Sequence, residues 1–116
     1  MASFVLSLHS APSSLTSVQL LYRYATAAIA NGHTIEAVFL YQQGVYHAQQ
    51  HIQVASDQLD AKSLWRQLKA KDIPLMLCVT AAESRGVECD SELFDIAGLA
   101  EFAMRTSRVD KWVQFK

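Results

Sequence analysis

The chemistry this sequence can offer starts at a cysteine. Cys78 lies near the end of the apolar run IPLMLCV at 73–79, and TAAESR at 80–85 then reads as a short helix closed by Gly86. The apolar run has the length of a buried strand and is too short for a globular helix. Glycine suits the position after a helix because it takes positive φ without a Cβ clash. A cysteine at such a junction meets the unpaired N–H groups of the first helical turn, whose partial positive charge favours thiolate over thiol. A thiolate is a nucleophile and a carrier of sulfur. The competing reading is a plain core cysteine, since free cysteines are among the most buried residues, and position alone leaves both open.

Two other sets of residues compete for attention. His47 and His51 would share a helix face, the spacing of a two-histidine metal site. No Glu follows His47 to complete H-E-x-x-H and no third ligand stands nearby, so no metal and no cofactor are expected. His47 is placed instead beside Cys78, because the loop after a neighbouring parallel strand opens on the same sheet edge. Cys89 is either a resolving thiol for Cys78 or a bystander in a polar loop. Two cysteines at C-x10-C spacing make neither a disulfide framework nor a common zinc pattern, which points to a reducing compartment.

The elements that must position Cys78 follow from periodicity. Residues 3–9 (SFVLSLH) read as a first strand, and Pro12 with its flanking serines breaks it. Leu15, Val18, Leu21, Tyr22, Ala25, Ala28 and Ile29 recur at helical spacing until Asn31-Gly32 stops the helix, and His33 is read as a solvated loop residue. A second strand at 35–41 (IEAVFLY) completes a βαβ unit, whose crossover is right-handed. A second helix at 61–71 follows, with Asp60 as candidate N-cap, Leu64, Trp65 and Leu68 on one face and a solvated basic face of Lys62, Arg66, Lys69 and Lys71. After the Cys78 segment, a helix starts at either Leu93 or Leu99. A last strand at 109–115 (VDKWVQF) carries enough polar residues to suggest a sheet edge.

At 116 residues the chain makes one domain with one core. A net charge of −1 and a pI near 6.4 give no long-range pull toward nucleic acid or anionic membrane. No Lys or Arg precedes Arg23, so a signal peptide is not expected. No apolar stretch has the length of a membrane span, and a cytoplasmic protein is the expectation.

Four stretches now carry a family resemblance. They are FLYQQGVYHA at 39–48, ASDQLDAKSLWRQL at 55–68, CVTAAESRGV at 78–87, and FDIAGL at 94–99 followed by VDKWVQF at 109–115. With the Gly32-His33 turn they span nearly the whole chain, which resembles the DsrE/TusD family of sulfur-relay proteins. The resemblance implies an α/β fold of three layers, a mainly parallel sheet of four to five strands with helices on both faces. It implies a persulfide on Cys78, taken from a TusA-like donor and passed to a TusE- or DsrC-like acceptor, and a hetero-oligomer with TusB/TusC-like or DsrF/DsrH-like subunits. The relay to 2-thiouridine at the tRNA wobble position is the nearest destination. Dissimilatory sulfur oxidation and a non-catalytic assembly role are the alternatives.

Candidate support near the thiol comes from Arg85, Gly44, Tyr46 and His47. Three departures from the family pattern stand out. Ser84 occupies the place of a usual arginine, leaving Arg85 as the nearby cation for a thiolate or persulfide anion. The acidic loop at 88–94 is short, which bears on the partner surface. Ala97 replaces a serine expected to cap the last helix, a contact worth about 1 kcal/mol.

Overall fold

A computed structural model describes residues 2–10, 15–48, 61–87 and 93–115. β1 (Ser3–Leu8) is buried from Phe4 onward, as expected of a strand rich in branched and aromatic residues that is covered on both faces. α1 (Leu15–Ala30) buries Val18, Leu21, Ala25 and Ala28, one stripe at helical period. β2 (Thr34–Leu40) leads into a 3-10 segment at Gln42–Ala48. α2 (Ala61–Ala70) buries Leu64, Trp65 and Leu68, the face its periodicity marks. β3 (Leu75–Cys78) runs directly into the short α3 (Val79–Ser84). β4 (Asp95–Ala97), α4 (Leu99–Arg108) and β5 (Lys111–Phe115) complete the chain.

The five strands form one sheet in the order β4-β3-β2-β1-β5, and every neighbouring pair is parallel. The chain steps from β1 outward to β4 and then crosses back to pair β5 with β1. With right-handed crossovers, that reversal puts α4 on the face opposite α1 and α2. The aromatic contacts agree. Tyr24 of α1 packs edge-on against Phe4 and Phe115, whereas Phe102 of α4 packs on Phe39 and Trp112. This is the expected helix–sheet–helix architecture, with the core between the sheet and both helical layers.

One irregularity ties the α4 layer to the sheet. Phe4 pairs with Ile35 but Val5 pairs with Ala37, so β2 carries Glu36 as an extra residue. The carboxylate of Glu36 lies 3.5 Å from Arg105, which also meets Glu101 of its own helix at 2.9 Å.

Several expectations change. The strand expected at 73–79 is shorter, because Val79 already belongs to α3. The last helix starts at Leu99, and the strand β4 ahead of it was not expected. Ala97 ends that strand and pairs with Cys78, while Gly98 is the N-cap, so Ala97 is not at the capping position. β5 does lie at a sheet edge. His33 is tied down rather than solvated: its Nδ1 accepts the Ala2 N–H at 2.9 Å and its ring packs edge-on against Phe4. His51, Cys89, Asp60, the Ser56-Asp57 pair and residues 88–92 of the acidic loop lie outside the described residues. Among the described residues no helix is long and apolar enough to cross a membrane.

Candidate functional site

Parallel strands deliver their carboxyl ends to one rim of the sheet, and Cys78 is the last residue of β3 on that rim. Its backbone is extended, φ −71° and ψ 119°, and it serves as the N-cap of α3 without a capping bond from its side chain. The strand-to-helix junction read from the sequence is therefore present, one residue tighter than expected.

Beside Cys78 the rim opens into a cleft of about 310 Å³, bordered by Tyr41, Gln42, Thr80, Ser84 and Arg85 as well as the cysteine. Cys78 itself is only 1% exposed. A reagent reaches the sulfur by entering the cleft. Hydroxyl groups, an amide and a guanidinium are the polar groups bordering it, a set rich in hydrogen-bond donors. Arg85 bonds the Ala81 carbonyl at 3.4 Å and Ser84 Oγ at 3.3 Å and has no carboxylate partner among the described residues. Its charge is thus available to an anion in the cleft.

The other candidates do not border the cleft. His47 is buried, its ring edge-on to Trp65 at 5.4 Å, and Trp65 Nε1–H donates to His47 Nδ1 over a long 3.4 Å. His47 Nε2 has no partner among the described residues. Burial pushes the His47 pKa down to about 4, against a smaller opposing pull from the Ser10 backbone. Tyr46 is half-buried, and neither it nor His47 borders the cleft. Three residues of the 3-10 segment separate Gln42, which does border it, from Tyr46, and over that distance the chain has turned inward toward α2.

Gly44 acts through the backbone. A Cβ there would stand 2.1 Å from the Leu8 carbonyl oxygen, so only glycine lets the 3-10 segment press against the end of β1. The Tyr41 N–H donates to that same carbonyl at 3.0 Å, and the Gly44 N–H donates to the Tyr41 carbonyl at 2.9 Å. This close approach fixes Tyr41 and Gln42 at the mouth of the cleft. Both were missed as site residues in the sequence. The rule that placed His47 on the rim, applied to the first residues after β2, would have found them.

Among the described residues no three of His, Cys, Asp or Glu gather to hold a metal ion. The chemistry the arrangement offers is that of one recessed sulfur facing donors and a cation.

The family model of the DsrE/DsrF-like family matches residues 2–115. This chain is a DsrE/DsrF-like protein. The resemblance carried by the cysteine segment and its companions is borne out across nearly the full length. A relative from Cronobacter sakazakii named sulfurtransferase TusD is 35% identical, the match covering 80% of this chain and 84% of that one. Among solved structures, the YchN protein of E. coli superposes with a TM-score of 0.79 at 23% identity, covering 99% of this chain and 100% of that one. A protein of unknown function from Methanobacterium thermoautotrophicum gives a TM-score of 0.74 at 16% identity, covering 98% and 99% of the two chains. These two likenesses establish the DsrE-like fold.

Proposed function

We propose that this protein is a sulfurtransferase subunit of a sulfur relay, and that Cys78 carries the sulfur as a persulfide. The observation that carries the reading is the recessed Cys78 at the carboxyl end of a central strand, bordering a donor-lined cleft that also holds Arg85. The 35% identity to a protein named sulfurtransferase TusD supports the same reading.

In the loading step, the Cys78 thiolate attacks the outer sulfur of a donor persulfide. The donor's S–S bond breaks, a new S–S bond forms to Cys78 Sγ, and the donor cysteine leaves as thiolate. In the unloading step an acceptor thiolate attacks the outer sulfur on Cys78, and Cys78 leaves as thiolate. One sulfur atom moves at each step with no net oxidation. Arg85 supports the anionic outer sulfur, and the recess of the cleft limits attack by water-borne thiols.

The donor is a TusA-like protein, the acceptor a TusE- or DsrC-like protein, and the destination the wobble 2-thiouridine of tRNA. TusB/TusC-like subunits complete the assembly. Exposed apolar side chains support that last point: Ile96 of β4, Leu99 and Met104 of α4 and Trp112 of β5 are each 45% exposed or more. Large exposed apolar groups on α4 and on both edge strands mark surfaces that partners cover.

Incubation with a persulfide donor and intact mass measurement tests the carrier role. The wild-type protein gains one sulfur, and Cys78→Ser does not. A Cys78→Ser protein that gains the same sulfur removes Cys78 from the pathway.

A further inference from the structure

A chain of hydrogen bonds crosses the sheet rim and ends at the cleft. Trp112 Nε1–H of β5 donates to Ser7 Oγ at 2.8 Å. Ser7 Oγ and His9 Nε2 are 3.0 Å apart, and His9 Nδ1 and Gln42 Oε1 are 3.1 Å apart. Ser7 is buried, and the His9 ring rests edge-on against Tyr41. The last member, Gln42, borders the cleft together with Cys78 and Arg85.

The chain has a direction. An amide oxygen can only accept, so His9 Nδ1 donates to Gln42 Oε1, and Nε2 of the neutral ring accepts from Ser7 Oγ, which itself accepts from the Trp112 indole N–H. The carbonyl end of the Gln42 amide is thereby engaged, and the N–H end is left for the cleft. The backbone of Gln42 sets where its side chain begins: φ is 53°, a conformation uncommon outside glycine. A surface glutamine held in the left-handed region and bonded to His9, which Ser7 and Trp112 hold in turn, is more ordered than solvation alone requires.

We infer that Gln42 is the hydrogen-bond donor for the outer, anionic sulfur of a Cys78 persulfide, and that His9, Ser7 and Trp112 are positioning residues that orient its amide. The inference rests on the carrier reading above. An S–S bond of about 2.05 Å carries the outer sulfur off Sγ and into the cleft, where a neutral N–H donor adds to the charge of Arg85. The ligand class is a sulfane-sulfur anion, and a carboxylate at position 42 would offer it only oxygen lone pairs.

The test is the exchange equilibrium of the full chain with glutathione persulfide and glutathione at fixed ratio, read as the loaded fraction by intact mass. The variants are Gln42→Glu, Gln42→Ala, His9→Phe and the His9→Phe/Gln42→Ala double. His9→Phe keeps an aromatic ring against Tyr41 and removes both nitrogens. A hydrogen bond to a charged group corresponds to roughly a tenfold change in the equilibrium constant. Gln42→Glu and Gln42→Ala are expected to lower the constant by about that factor. His9→Phe is expected to lower it less, and the double variant to be no worse than Gln42→Ala alone, as for groups acting as one unit. A purely structural role for His9 gives effects that add. A wild type that loads beside Gln42 variants that load equally, or additive effects in the double variant, overturns this inference alone. A wild type that takes up no sulfur overturns the carrier reading and this inference together. Gln42 is exposed, so its variants test the inference even where a His9 variant fails to fold.

Discussion

Replacing His47 with glutamine should remove much of the acid sensitivity of the fold. The histidine is buried against Trp65, and burial holds its pKa at about 4 instead of 6.5. In the unfolded chain the ring regains its ordinary affinity for protons. Between those two values the unfolded state binds more protons than the folded one, so stability falls as pH drops. The contribution is fully retained above the unfolded value and fully lost below the folded one. A gap of this size corresponds to about 3 kcal/mol, of which about 2 kcal/mol is lost between pH 7 and pH 5. Urea unfolding at these two pH values, followed by tryptophan fluorescence, measures it, and Trp65 is itself in contact with the ring. Glutamine does not titrate and retains an acceptor for the Trp65 N–H. The wild type should lose about 2 kcal/mol more than His47→Gln on acidification. Equal losses in the two proteins would refute the argument, since acid lability would then come from other groups.

Two further outcomes follow from the cleft. Gly44→Ala sets a Cβ against the Leu8 carbonyl at 2.1 Å, and the obstacle is backbone that cannot rotate away. A loss of about 2–4 kcal/mol in urea unfolding is expected, and a change below about 0.5 kcal/mol would mean the 3-10 segment relaxes freely. Arg85→Glu replaces the cation of the cleft with an anion and should lower sulfur loading roughly tenfold at low salt, with the deficit shrinking as salt rises. Loading by mass against ionic strength checks this, and a deficit that ignores salt would assign Arg85 a structural role instead.

Much of the fold could be read from periodicity, and the failures have physical causes. α1 and α2 announce themselves because Val18, Leu21, Ala25 and then Leu64, Trp65, Leu68 repeat at helical spacing and are buried in that pattern. β4 was invisible because three residues are too few for any alternation, and Asp95 and Ile96 are both exposed there. Its existence depends on the partner strand, since Ile96 pairs with Leu77 across the rim. The two rival starts for the last helix were equally periodic in sequence, and that pairing decides between them.

The site was legible in its sulfur and less so in its surroundings. Cys78 stands out because an apolar run meets a helix there, and the structure has that junction between β3 and α3. Tyr41 and Gln42 gain their place from Gly44, whose missing side chain lets the chain fold back over the end of β1. That approach joins residues far apart in sequence, so no local pattern records it. His47 illustrates the converse. A polar residue in a rim segment invites a functional reading, but one helical turn further along the side chain has entered the core and binds Trp65.

The depth of the sulfur also governs which molecules can reach it. Cys78 is 1% exposed and borders the cleft. Any reagent for it must enter the cleft beside Tyr41, Gln42 and Arg85. Under the proposed carrier role, this recession makes access to a sulfur held on Cys78 a matter of shape.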